Sequence, residues 1–149
     1  MIDFSKGPIA LKKGTLEELR SMTARELPSH AEVSIKNSKP PQIRIREGLW
    51  RGVSLFIEGE GDTPKLSAYQ FRIPSFLSMV ILFIASVAVF SLILMVVVSA
   101  VVGQFVPAVG GIGGIAGFVM YSFIEKLVLR NIKGSWLPDI ERVVEKLKA

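Results

Sequence analysis

The side chains that could carry chemistry are few and scattered. Gly111-Ile112-Gly113-Gly114-Ile115-Ala116 fits the loose fingerprint GxGxx(G/A). In that fingerprint a loop after a strand turns backbone N–H groups toward a pyrophosphate, and an acid follows about 20 residues later. Here the first acid is Glu125, and all six residues lie inside an uncharged run. The motif therefore reads as helix packing. Glu58, Glu60 and Asp62 alternate with Gly59 and Gly61 and offer hard oxygen ligands of the kind calcium takes. No EF-hand spacing and no fourth ligand accompany them, so they read as a solvated hairpin turn. His30 is the only histidine and follows Pro28-Ser29 at a corner, which marks it as structural or exposed. No GxSxG encloses a serine. Glu125 stands beside Lys126 at the end of an apolar run, where an acid can reach water or pair locally. The chain reads as no enzyme, with no catalytic residues, no cofactor and no metal site.

One charged group remains. Lys36, Lys39, Arg44, Arg46 and Arg51 make a basic stretch with Trp50 and Phe56 close by. Neither an RNP-like motif nor a recognition helix accompanies it, so nucleic acid is not the expected partner. Contact with anionic lipid headgroups, where each nearby basic residue is worth about 1 kcal/mol, or ordinary surface charge fits better, with an acidic protein partner as a further reading. Arg44, Arg46 and Arg51 are the candidates for membrane-surface or partner contact.

These residues must be positioned by a chain of 149 residues with 18 Lys+Arg, 13 Asp+Glu and no cysteine. The absence of cysteine excludes a disulfide scaffold, a zinc–thiolate site and a thiol nucleophile. Between Arg72 and Glu125 lie 52 residues with no Asp, Glu, Lys, Arg or His. A spanning helix needs about 20 apolar residues, so the stretch accommodates two crossings and a short turn. Residues 76–98 form the first span, with 16 Leu, Ile, Val or Phe. Gly103-Gln104-Phe105-Val106-Pro107 breaks the run, and a second span follows at about residues 108–129.

The second span differs in kind. Gly110, Gly111, Gly113, Gly114 and Gly117 crowd its first half. Gly110/Gly114 and Gly113/Gly117 are overlapping GxxxG pairs, a spacing that lets membrane helices approach closely. The neighbour is either the first span, through Ala85, Ala88 and Ser91, or a partner chain or second copy. A bend in the helix is a third reading. The first 72 residues carry 12 Lys+Arg and the last 25 carry 6, whereas the turn carries none. The positive-inside rule then puts both termini in the cytoplasm. No apolar core of a signal peptide follows Met1, and Ile2 excludes myristoylation.

Residues 1–73 read as a cytoplasmic α/β domain. Thr15 and Glu18 have capping-box spacing, and Leu16, Leu19 and Met22 or Thr23 continue at helical spacing as far as Pro28. Period-two alternation then runs through 31–36, through Ile43 and Ile45, and through Val53, Leu55 and Ile57. Ser67, Tyr69, Phe71 and Ile73 form one face of the last strand. This predicts an antiparallel sheet of three or four strands. Residues 131–149 read as an amphipathic tail helix with Pro138 in its first turn. Its stripe is Ile140, Val143, Val144 and Leu147, with Trp136 as an interfacial anchor. The stripe is free to lie on a membrane, dock on the sheet or pair with a partner.

The expected architecture is thus an α+β membrane protein: helix plus sheet at 1–73, a transmembrane hairpin at 74–130 and the tail helix. The expected function is a non-enzymatic integral membrane subunit or scaffold. It would anchor a small interaction domain and pack into a larger assembly, with a protein partner or homo-oligomer contacting the Gly-rich span. The alternative is a homo-oligomeric small pore or transporter lined by Gln104 and the glycines.

Overall fold

The computed structural model describes residues 2–59 and 62–149. Its elements are β1 (Ile9–Ala10), α1 (Leu16–Glu26), β2 (Ala31–Lys36), β3 (Gln42–Glu47), β4 (Arg51–Glu58), β5 (Lys65–Arg72), α2 (Phe76–Val102) and α3 (Val109–Leu147). The fold is α+β, with a five-stranded antiparallel sheet in the order β1-β5-β4-β3-β2. Three helices accompany it, two of them long and apolar. By Cα proximity the chain divides into one unit of Met1–Pro74 with Asn131–Ala149 and a second of Ser75–Arg130.

In the first unit, α1 begins at the capping box its sequence announces. Thr15 Oγ1 accepts from the Glu18 N–H at 3.3 Å, and the Glu18 carboxylate accepts from the Thr15 N–H at 2.9 Å. The helix buries Leu19 and Thr23, and the Thr23 hydroxyl donates to the Leu19 carbonyl at 2.8 Å. This bond satisfies a polar group that would otherwise be costly to bury.

The sheet follows the period-two pattern with two corrections. The strands number five, because Ile9 and Ala10 pair with Leu66 and Lys65. Two residues are too few to show a period. The second correction lies in β5. Phe56 pairs with Ala68 but Ile57 pairs with Leu66, so Ser67 is an extra residue in a bulge. Its hydroxyl donates to the Phe56 carbonyl at 3.2 Å. The bulge flips the alternation, and Leu66 takes the inner position expected of Ser67. The inner face then carries Ile43, Ile45, Val53, Leu55, Ile57, Leu66 and Phe71, all buried. Of the turn at Gly59-Glu60-Gly61-Asp62, Glu60 and Gly61 lie outside the described residues.

The tail is not a separate helix. It is the last part of α3, which runs without interruption from Val109 to Leu147 with Pro138 inside it. A proline at 138 removes one hydrogen bond, to the Gly134 carbonyl. One buried stripe, Ile132, Trp136, Ile140, Val143, Val144 and Leu147, continues on both sides of it. Packing of that stripe holds the helix where local preference would break it. Trp136 and Ile140 are 1% and 0% exposed, so of the settings open to this stripe (a membrane surface, the sheet, a partner) it takes the one inside the first unit, and the residues named for surface or partner contact are core residues. Backbone bonds fix the end of the helix: the Lys12 N–H donates to the Leu147 carbonyl at 2.8 Å, and the Ala149 N–H to the Ala10 carbonyl at 3.1 Å. The Ile2 N–H donates to the Glu141 carboxylate at 3.2 Å.

In the second unit, α2 runs four residues beyond the expected end of the first span. It closes on Gly103, whose φ of +77° suits a residue without Cβ and whose N–H donates to the Ser99 carbonyl at 2.9 Å. The Ser99 hydroxyl accepts from the Val106 N–H at 3.2 Å and so ties the connecting turn back to α2. Pro107 precedes the first turn of α3.

Candidate functional site

Two features assemble residues that lie apart in sequence: a glycine seam in the second unit and a cationic sheet face in the first.

The seam joins α2 to the first half of α3. A Cβ on Gly113 would lie 2.6 Å from the Phe90 carbonyl oxygen and 2.7 Å from the Ser91 Cα. One on Gly117 would lie 2.7 Å from the Ser86 carbonyl oxygen and 2.7 Å from the Val87 Cα. Both distances are shorter than any side chain tolerates, so only glycine permits this backbone approach. Gly110 and Gly114 have ordinary contacts, to Ser91 Oγ at 3.5 Å and Val87 Cγ1 at 3.6 Å. The Ser91 hydroxyl donates to the Gly110 carbonyl. Further along, Phe83 meets Phe118 and Tyr121 edge-on, with centroids 5.8 and 5.6 Å apart. Gly111 has nothing within 4 Å of its Cβ position.

Of the two neighbours considered for the glycines, the structure brings in the first apolar helix. Ser91 is at the contact as expected, but Ala85 and Ala88 are exposed. Ser86, Val87, Phe90 and Leu94 occupy the positions opposite the glycines. No local signal distinguishes these positions, because nearly every residue of α2 is apolar and no face stands out. Away from the seam the apolar side chains are open: Phe76, Ile84, Leu92, Val96, Val101, Ile112, Ile115 and Phe123 are among the exposed residues.

The outer sheet face is set by cross-strand register. Arg44, Ser54 and Gln70 form one row across β3, β4 and β5, and Arg46, Gly52 and Arg72 form the next. Among the described residues no carboxylate lies within ion-pair distance of Arg44, Arg46 or Arg72. Arg44 Nε donates to the Gln42 side chain at 3.4 Å, and Arg46 Nε to the Gly48 carbonyl at 3.0 Å. Arg72 Nε is buried without a hydrogen-bond partner. Burial pushes the Arg72 pKa down, and the nearby positive charge of Arg44 adds to the shift. Arg51 instead approaches Glu47 at 3.6 Å, and Glu47 also faces His30 Nε2 at 3.2 Å. Arg72 escapes the sequence reading because it lies far from Arg44 and Arg46 in the chain. Only the β4–β5 pairing delivers it to the same face.

Gly52 opens this face to a turn of chain. A Cβ there would lie 2.9 Å from the Arg72 carbonyl oxygen and 3.1 Å from Pro74 Cβ. The next turn, between β3 and β4, exposes Leu49 and Trp50 at 42% and 39%. Elsewhere in the first unit a cleft is lined by Ile2, Asp3, Lys6, Glu141, Glu145 and Lys148. Both charge signs are mixed along it, and no group of residues there has the form of a catalytic constellation. Among the described residues no set of three His, Cys, Asp or Glu side chains is close enough to hold a metal ion.

The arrangement thus offers packing surfaces and a basic face. Comparison with known proteins adds no further assignment: no family model, no curated protein and no solved structure matches the chain significantly.

Proposed function

We propose that the chain is an integral membrane subunit whose helical hairpin anchors a small cytoplasmic domain and contributes to a larger membrane assembly. One observation carries this reading. Two helices are long and apolar enough to cross a bilayer, yet only 6% and 11% of their most apolar stretches is buried within the chain. A core helix of a soluble protein would be mostly covered. Burying this much apolar surface elsewhere requires lipid or another protein. The uncharged span and cationic flanks put both termini on the cytoplasmic side. Each α2–α3 hairpin spends Gly113 and Gly117 on itself, which leaves Gly111 and the open apolar faces for lipid and neighbours. The same closure weighs against a pore, since the tightest glycines face α2 and are unavailable as lining.

The test uses the full chain with an affinity tag, expressed at native level. Membranes are washed in alkaline carbonate and floated, and reporter fusions are placed at Gln104 and at both ends. Floating material with only the Gln104 reporter outside supports the anchor and its topology. Mild-detergent extraction and crosslinking then assess the assembly, and migration as an uncrosslinked monomer refutes that part. Material left in the supernatant after carbonate washing refutes the whole reading.

A further inference from the structure

The β3–β4 hairpin tip carries an unusual pair of exposed residues. Leu49 and Trp50 are open to solvent in a unit whose other Trp, Trp136, is 1% exposed. The tip is held in shape. Gly48 adopts a positive φ of 66°, and its carbonyl accepts from Arg46 Nε at 3.0 Å. Glu47 and Arg51 close the hairpin across the strands, paired in register and 3.6 Å apart at their charged atoms.

Register fixes where this tip lies within its unit. Gly52, two residues after Trp50, pairs with Arg72. Its Cβ position is 3.1 Å from Pro74 Cβ, and Pro74 is two residues before the first turn of α2. Two strand residues cover about 7 Å. The exposed Leu-Trp pair therefore sits at the end of the sheet where the chain leaves for its first long apolar helix. Arg46 and Arg72 lie at that same end without carboxylate partners among the described residues. Arg51 is there too, although it shares Glu47 with His30.

We propose that the Leu49–Trp50 tip, flanked by Arg46, Arg51 and Arg72, is an interfacial foot that enters the anionic headgroup layer of the leaflet where α2 begins. The inference rests on the membrane reading above. Its chemistry is that of the interface: an indole and an aliphatic side chain favour the boundary between headgroup and hydrocarbon, and guanidinium groups bind phosphate oxygens. An exposed Trp beside three arginines, of which Arg46 and Arg72 have no carboxylate partner among the described residues, suits a surface that is greasy within and anionic at its rim. A soluble acidic partner would satisfy the arginines, but its location would owe nothing to the junction with α2.

The full chain is reconstituted in vesicles of phosphatidylcholine alone or with one-quarter phosphatidylglycerol. Trp50→Phe supplies the reference, so subtracting its emission from that of the parent leaves the Trp50 signal and spares the buried Trp136. Lipids brominated at shallow acyl positions are expected to quench that signal at least twofold, and aqueous iodide is expected to have little effect. The quenching should be stronger with phosphatidylglycerol present and weaker in Arg46→Gln. Because the chain has no cysteine, Leu49→Cys gives a single spin-label site as an independent depth gauge. A label more accessible to oxygen than to a water-soluble nickel chelate supports the foot. Quenching by iodide and not by bromolipid overturns it. Shielding from both also overturns it, in favour of contact with a second copy. Carbonate flotation of the same preparations separates the two claims. Failure to float refutes the membrane anchor itself, whereas floating vesicles with a wet Trp50 refute only the foot.

Discussion

A single methyl group placed at three glycines of α3 tests the seam most directly. On Gly117 it would lie 2.7 Å from the Ser86 carbonyl oxygen and the Val87 Cα, and on Gly113 2.6 Å from the Phe90 carbonyl oxygen. Ordinary contact begins near 3.4 Å, so the helices must part by about 0.7 Å or bend. Backbone atoms cannot rotate away as a side chain can. Overpacking of this kind costs about 1–3 kcal/mol. Exchanging Gly for Ala in a helix returns about 1 kcal/mol. Gly111 is the internal control, because its methyl would meet nothing within 4 Å. The helix-forming gain is common to all three sites, so the difference between sites isolates the clash. Gly111→Ala should be more stable than Gly113→Ala or Gly117→Ala by roughly 1–3 kcal/mol. Dyes on cysteines introduced at the exposed Leu77 and Leu127 report helix separation during reversible unfolding in mixed detergent and SDS micelles. Equal midpoints for Gly111→Ala and Gly113→Ala would refute the close approach. A loss confined to Gly111→Ala would move the tight contact to a neighbouring molecule.

Three further outcomes follow from the first unit. Ile140 is fully buried, and Ile140→Ala should cost about 2–5 kcal/mol, read as lost hydrogen-exchange protection across β3 and β4. Equal protection would show that the end of α3 does not complete this core. Thr15→Ala removes one half of the capping box and should cost about 0.5–2 kcal/mol in thermal unfolding, with Thr15→Ser recovering most of it. Burial raises the Tyr69 pKa, and the charge of Glu141 raises it further. The folded phenol therefore holds its proton beyond the ordinary range near pH 10, and the unfolded chain releases it first. This group's contribution is complete below about pH 10 and is lost as pH rises through the folded pKa, so stability falls on that alkaline limb. Ultraviolet titration should show the late phenol, and Glu141→Gln should bring it closer to the ordinary value. An ordinary titration midpoint in the parent would contradict the packing around Tyr69.

Local signals in this chain were as good as the physics behind them. Thr15 and Glu18 announce α1 because a capping box is closed within four residues and needs no distant partner. The alternation of Ile43 and Ile45 with Arg44 and Arg46 fixes which β3 residues face inward. The 52 uncharged residues mark α2 and the first part of α3 as apolar, since the hydrophobic content of a segment is a property of composition alone. The five glycines mark a surface of close approach, because their density costs helix stability that packing has to offset.

The rest required atoms that are distant in sequence. Which helix meets Gly113 and Gly117 is invisible in α2, where Ala85, Ala88 and Val87 look equally suitable until rotation about the helix axis is fixed. The bulge at Ser67 shows no local mark, because its cause is the cross-strand match of Ile57 with Leu66. The proline at 138 reads locally as a start, yet the buried stripe on both sides carries α3 through it. That same burial decides among the settings open to Trp136, Ile140, Val143, Val144 and Leu147 and makes them core. Arg72 joins Arg44 and Arg46, and Gly52, two residues after the exposed Trp50, comes beside Pro74, only through strand pairing. Composition and short-range periodicity therefore decide which segments are helical, extended or apolar. Register and helix rotation decide which side chains meet, because those depend on free energies shared between segments that the order of residues keeps apart.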